Sequence, residues 1–276
     1  MTIRQVGGHP YGIVEFCRKR HSGAIREGIT GTMSDDLERK VGMAIMAHPD
    51  DYEFGAAGTI AKWIQEGWTF YYVICTDGGG GGSDEATDCG MGPRRELTKL
   101  RKREQRNAGR VLGLADIFFL DHMDGQLQNT IELRRELVRL IRRYRPTRVL
   151  CPSPDRVWEP EYHVRRHHPD HMACGEAALA ALYPAAQNPW DFPELLEQGL
   201  KPHKVSEFYV TGAPVINHAE DISKTIDTKI AALAEHKSQV GDRIEDLGKM
   251  LRDGAKDRGK EHKMKMAEVF HRIENF

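Results

Sequence analysis

The chain has 276 residues, 39% of them hydrophobic, and a formal charge of -1 at pH 7. That length and apolar content suit one large globular domain with a real core, and the near-neutral balance gives no global electrostatic pull toward nucleic acid or membrane. No run approaches the ~20 apolar residues of a membrane span, and the N-terminus shows no apolar signal core. Five cysteines (Cys17, Cys75, Cys89, Cys151, Cys174) with no CxxC pair fit a reduced, cytoplasmic setting.

In chain order, residues 1 to 32 are rich in glycine and charge without a convincing period, and Met33-Ser34-Asp35-Asp36 looks like a fresh beginning with N-cap residues. The expectation is an N-terminal extension over 1–32, a catalytic domain over 33–240 and a C-terminal helical extension over 241–276. The apolar run from Val41 reads as a buried strand, followed by His48-Pro49-Asp50-Asp51 at the opening of a helix. Ala57, Ile60, Ala61 and Ile64 keep helical spacing, and Gly67 stops that helix in the C′ position.

A second strand, Phe70 to Thr76, leads into Asp77 and the glycines Gly78 to Gly82, which read as a flexible lid. Arg94 to Gly113 is a basic helix, Ile117 to Leu120 a strand before Asp121-His122-Met123-Asp124-Gly125, and Thr130 to Tyr144 a helix ended by Pro146. The strand Arg148 to Cys151 is followed by a long loop to His167-His168-Pro169-Asp170-His171 and a small-residue helix, Met172 to Tyr183. Lys204 to Thr211 gives a fifth strand, with helices expected from about Asp221 to the end, Met264 and Met266 among them.

Strands alternating with helices predict an α/β fold: a Rossmann-like open parallel sheet, order 3-2-1-4-5, with helices on both faces. In that order strands one and four are neighbours, so HPDD and HHPDH, about 120 residues apart, face each other across the switch point. His48 and Asp51, three apart in a first helical turn, can reach one point, and a histidine of the second cluster completes three candidate ligands. His168 and His171 are also three apart, so one can bind metal while the other faces substrate. Such a set suits amide hydrolysis, with Asp50 free to accept a proton.

The segments AHPDDYEFGAAGTIA, ICTDG, EQRNAGRVLG, DGQL, HHPDHMACG and KIAALAEHKSQV together resemble blocks of the LmbE/PIG-L family, and TDGGGGGSDE, CPSPD and the long loop before HPDH are most similar to its diacetylchitobiose deacetylase branch. The resemblance implies a zinc-dependent N-deacetylase that releases acetate from an N-acetylglucosamine-type sugar or glycoconjugate. One Zn2+ per chain is expected, in a site that would also accept Fe2+. By the same resemblance His48, Asp51 and His171 are the metal ligands, Asp50 is the general base, and His168 is the oxyanion-stabilising or acid histidine with Asp170 as its partner. Arg101 and Asp124 match substrate-contacting positions, and a homo-oligomer, trimer or hexamer, is implied, with no nucleic acid and no stable membrane insertion. The five-glycine run and the first 32 residues depart from the family pattern. Two other readings compete: an amidase acting on another N-acyl conjugate through the same site, and a nucleotide-binding module using the glycine loop.

Overall fold

A computed structural model describes residues 40–159 and 167–276; the expected extension over 1–32 and the start at Met33 lie outside the described residues. The centre of the fold is β1 (Val41–Met46), every residue of which after the first is buried. Its alternation sorts the core: Met43, Ile45 and Ala47 join the cluster on one face, while Ala44 and Met46 join the other. Covered on both faces, the strand reads as a continuous apolar run.

β2 (Thr69–Thr76) and β4 (Arg148–Pro152) flank β1 in parallel, with β3 (Asp116–His122) and β5 (Glu207–Thr211) outside them. This is the expected 3-2-1-4-5 core. The sheet then continues with β7 (Ala267–Glu274) and β6 (His218–Asp221), both antiparallel to their neighbours, for a full order β3-β2-β1-β4-β5-β7-β6. The sheet is therefore mixed. The C-terminal segment does not end in helix: after α9 (Ile244–Glu261) the chain turns and finishes as a strand between β5 and β6, and Met264 and Met266 belong to that turn.

The helix opening after HPDD is two helices. Asp50 is a left-handed N-cap (φ 78), α1 runs only Asp51–Phe54, and α2 restarts at Ala57–Gln65, before Gly67 at φ 90. A buried ion pair fills the break: Lys229 Nζ donates to the carbonyls of Phe54 and Gly55, which α1 leaves open, while Glu268 accepts from the N–H groups of Gly58 and Thr59 in α2. Unsatisfied helix ends need such partners.

α3 (Met91–Leu112) begins three residues earlier than expected and is closed by Gly113 at φ 86. α4 (Ile131–Tyr144) is capped by Thr130, whose Oγ1 accepts from Leu133 N at 3.2 Å. α5 (Pro169–Ala180) starts at Pro169 in the N1 position and continues into Ala181–Ala185, where the chain kinks at the extended Tyr183. Short α6 (Pro193–Glu197) precedes β5, and α7 (Ile226–Leu233) and α8 (Lys237–Val240) lead to α9. Among the described residues no helix is long and apolar enough to cross a membrane.

At the N-terminal edge of the parallel strands Arg148 lies over the rings of Trp68 and Trp63 at 4.2 and 4.9 Å, and it pairs with Glu207, which also pairs with Arg272. Burial alone would raise the Glu207 carboxyl, but hydrogen bonds from Arg272 and Arg148 hold it below its ordinary value of 4.5. A depressed folded-state carboxyl contributes stability above the unfolded value and loses it as pH falls through the folded one. Glu207→Gln is therefore expected to cost about 1 kcal/mol at pH 7, discounted for partial exposure, and less at pH 3, below the ordinary value of 4.5. Urea midpoints at the two pH values check this; an equal loss at both would reject the charge assignment.

Candidate metal and active site

The C-terminal ends of four neighbouring strands supply the site: β1 leads to His48–Asp51, β2 to Asp77 and the glycines, β3 to Asp124, and β4, through its long loop, to α5. This is the edge where an open α/β sheet binds ligands. His48 Nδ1 lies 3.2 Å from His171 Nε2, which lies 3.0 Å from Asp51 Oδ1, and His48 Nδ1 is 3.6 Å from Asp51 Oδ2. Ligands ~2.0–2.1 Å from a tetrahedral ion stand about 3.3 Å apart. The three donors thus fit a divalent metal that prefers nitrogen and oxygen.

On its other side His48 Nε2 is 3.1 Å from both Asp170 Oδ2 and Asp124 Oδ1. That contact places a proton on Nε2 and turns Nδ1 toward His171 and Asp51, where a bound metal would take the place of the Nδ1 proton. Burial would lower His48, but its hydrogen bonds to Asp124, Asp170 and Asp51 push it up to about 12. Burial would likewise raise Asp51, and the charge and hydrogen bonds of His171, then those of His48, hold it well below the carboxylate range. Asp51 also accepts from the backbone N–H of His48 at 2.8 Å, closing the turn.

Asp170, expected to partner His168, instead serves His48. Its carboxylate accepts from Gly125 N at 2.7 Å and Leu127 N at 3.1 Å, so it is fixed before His48 reaches it. What reaches His168 is the Asp170 backbone N–H, donated to Nδ1 at 3.2 Å as a helix cap. An imidazole that accepts at Nδ1 and is neutral carries its proton at Nε2. Burial, then the charge of adjacent His48, holds His168 below its usual value, which favours that neutral form. His168, His48 and Asp170 also form a second group of metal-capable atoms, but the hydrogen bonds just described already occupy Asp170 and the Nδ1 of His168.

Asp50 stands beside the donor triangle. Its backbone N–H donates to Gln105 Oε1 at 2.9 Å, and its Oδ2 is 3.2 Å from Arg101 Nη2. Burial lifts its carboxyl to about 6, with Arg101 opposing and Asp51 adding. Arg101 itself is turned inward, donating to the carbonyls of Gly78 and Pro49 at 2.9 Å each. Asp124 also faces inward, accepting from Gly80 N at 2.8 Å as well as meeting His48. Both residues, expected at the substrate, make these contacts with the frame of the site, and Arg101 Nε is left without a partner among the described residues.

The glycine loop is pinned. Gly79 N donates to Asp77, Gly80 N to Asp124, and Gly81 O accepts from Gln239 Nε2 at 3.1 Å. A Cβ at Gly81 would stand 2.6 Å from Arg101 Nη1, and Gly78 combines φ 65 with Pro49 Cδ at 2.9 Å from such an atom. Glycine is needed here for close approach. The same bonds argue against the phosphate-cradle reading, because the N–H groups of Gly79 and Gly80 are turned to carboxylates rather than to a ligand.

The description GlcNAc-PI de-N-acetylase, PIG-L, matches residues 43–182. A diacetylchitobiose deacetylase of Thermococcus kodakarensis is 34% identical over 207 residues, 74% of this chain and 72% of that protein. The chain belongs to the PIG-L family. A probable N-acetyl-alpha-D-glucosaminyl L-malate deacetylase 2 of Bacillus anthracis is 28% identical over 79% of this chain and 88% of its own. The N,N'-diacetylchitobiose deacetylase from Pyrococcus horikoshii, solved with an inhibitor, superposes with a TM-score of 0.75 at 28% identity, covering 89% of this chain and 88% of that one. The PIG-L match ends at residue 182, so it includes the HPDD turn, the glycine loop and the HPDH helix start, but neither His236 nor Gln239.

Reasoning from the sequence did not reach Gln105, Glu53, Asp77 or His236. Gln105 and His236 lie inside the EQRNAGRVLG and KIAALAEHKSQV segments, and a fully buried glutamine and histidine, both 0% exposed, mark places where polarity is being used.

Proposed function

We propose that this PIG-L chain hydrolyses the acetamide of an N-acetylglucosamine-type sugar or conjugate with one zinc ion held by His48, Asp51 and His171. The observation that carries this reading is the triangle of His48 Nδ1, His171 Nε2 and the two oxygens of the Asp51 carboxylate, with contacts of 3.0–3.6 Å, beside the largely buried Asp50. When bound, the zinc ion would supply Lewis acidity, polarising the amide carbonyl and bringing water toward ionisation near neutral pH.

The chain does the rest. Asp50 takes the proton of the attacking water and returns it to the departing nitrogen, so that amide and water become acetate and amine. His168, protonated at Nε2 and held at Nδ1 by the helix start, donates a hydrogen bond to the oxygen where negative charge develops. Asp170 and Asp124 hold the orientation of His48, and Arg101 holds Asp50 against the carbonyl of Pro49. Other N-acyl conjugates would enter the same chemistry, and the sugar reading rests on the deacetylase relatives.

Acetate release decides the question, measured on N-acetylglucosamine, its dimer, and their glycoside and phosphorylated forms. Chelation is expected to abolish release and one equivalent of Zn2+ per chain to restore it, with Fe2+ assayed alongside. Failure on every sugar by a protein carrying full zinc, with release from a non-sugar N-acyl compound, would move the assignment to the amidase reading. The expected homo-oligomer is read from the same preparation by light scattering.

A further inference from the structure

The segment His236–Gln239, the N-cap and first three residues of α8, reaches the site at three places without touching the donor triangle. Gln239 holds the carbonyl of Gly81. Ser238 donates through its N–H and Oγ to Glu104 at 2.8 and 2.6 Å, fastening α8 to α3 next to Gln105. His236, wholly buried, has Nε2 3.8 Å from Glu53 Oε2. Glu53, also wholly buried, accepts from Gln105 Nε2 at 2.9 Å through its other oxygen, and Gln105 Oε1 accepts the Asp50 N–H at 2.9 Å.

Glu53 Oε2 and both ring nitrogens of His236 have no other hydrogen-bond partner among the described residues. Buried polar atoms are rarely left so, and a small ring rotation would close the 3.8 Å gap and complete the chain. At its far end stands a non-glycine residue in the left-handed region, a conformation that persists only where surroundings enforce it.

We propose that Gln105 and His236 are positioning residues for Asp50: the buried series His236, Glu53, Gln105 fixes the Asp50 peptide, and with it the direction of the carboxylate that acts as base. The inference rests on the proposed deacetylase reading. A base displaced by about 1 Å loses on the order of a hundredfold in rate without losing ground-state binding.

Gln105→Met keeps the volume and removes both bonds. It is expected to lower kcat about 30- to 100-fold, with KM and zinc stoichiometry unchanged, and to increase hydrogen exchange at the Asp50 amide of the metal-free protein. His236→Leu is expected to lower kcat about tenfold, and His236→Gln, which keeps an N–H for Glu53, to recover most of that loss. The His236 pair reads the effect even if Gln105→Met does not fold. The proposal is overturned if kcat stays within twofold, if zinc content and kcat fall together, or if His236→Gln is no better than His236→Leu. Asp50→Asn run in parallel separates the two levels: an inactive Asp50→Asn beside a fully active Gln105→Met sinks only the positioning role, whereas an active, zinc-loaded Asp50→Asn removes the base itself.

Discussion

Asp50→Asn is expected to lower turnover by about 10²- to 10⁴-fold while the protein binds zinc and substrate as before. The carboxamide is the same size but cannot accept the proton that must leave water as it attacks. Asparagine is the right replacement because Asp50 sits at φ 78, a conformation that Asn tolerates and Ala does not. Alanine would mix loss of the base with backbone strain at the turn that also carries Asp51. Arg101 loses one contact and keeps its bonds to Gly78 O and Pro49 O, so the frame survives.

The measurement is kcat and KM by acetate release together with zinc content. Wild-type turnover at full zinc would dismiss Asp50 as the base. The wild type should lose activity on acidification, since a base must be deprotonated: burial lifts Asp50 to about 6, and a bound divalent cation pulls that value down, so the acid limb lies at or below pH 6.

Local spacing and topology made the two halves of the site legible. HPDD ends a continuous apolar run, which marks a buried strand, and the 3-2-1-4-5 order then brings HHPDH opposite. The resemblance pairs Asp170 with His168, and sequence spacing does not say whether a residue meets its neighbour by side chain or by backbone. His168 and Asp170 are two apart across a helix start, where side chains diverge, so the backbone N–H reaches His168 while the carboxylate reaches His48. The resemblance places Arg101 and Asp124 at the substrate; inside the fold Arg101 donates to the carbonyls of Gly78 and Pro49, and Asp124 accepts from Gly80 N and meets His48.

Composition also made the glycine run look mobile. Its partners Asp124 and Gln239 stand 44 and 158 residues away, beyond any local pattern. The final strand was hidden for a related reason. Ala267-Glu268-Val269-Phe270 places a glutamate where a strand of this sheet would carry an apolar side chain, and Glu268 is buried because Lys229 neutralises it.

That pair is where the largest stability loss is expected. Lys229→Met should cost about 3–5 kcal/mol. Lys229 and Glu268 are 2% and 3% exposed, with Nζ to Oε1 at 2.5 Å. Methionine fills the same channel but leaves Glu268, among the described residues, with only the amides of Gly58 and Thr59, at 3.1 and 2.7 Å, against a buried negative charge. It also strips the donor from the carbonyls of Phe54 and Gly55, where α1 stops. Lys229→Met with Glu268→Leu is expected to recover part of the loss, because an apolar pair removes the uncompensated charge, although the open helix ends remain.

The damage should reach the site by one route. Asp51 is the first residue of α1, and Lys229 holds the last turn of that four-residue helix. Loosening it should weaken zinc binding in the folded single variant, whereas Glu207→Gln, at the opposite edge of the sheet, should leave zinc affinity alone. Urea denaturation of the metal-free proteins gives the first quantity and zinc titration the second. Saturating zinc adds stability in proportion to its affinity, so the zinc-induced rise in the urea midpoint should be smaller in Lys229→Met than in the wild type. An equal rise in both would show that the break between α1 and α2 stabilises the fold without shaping the metal site.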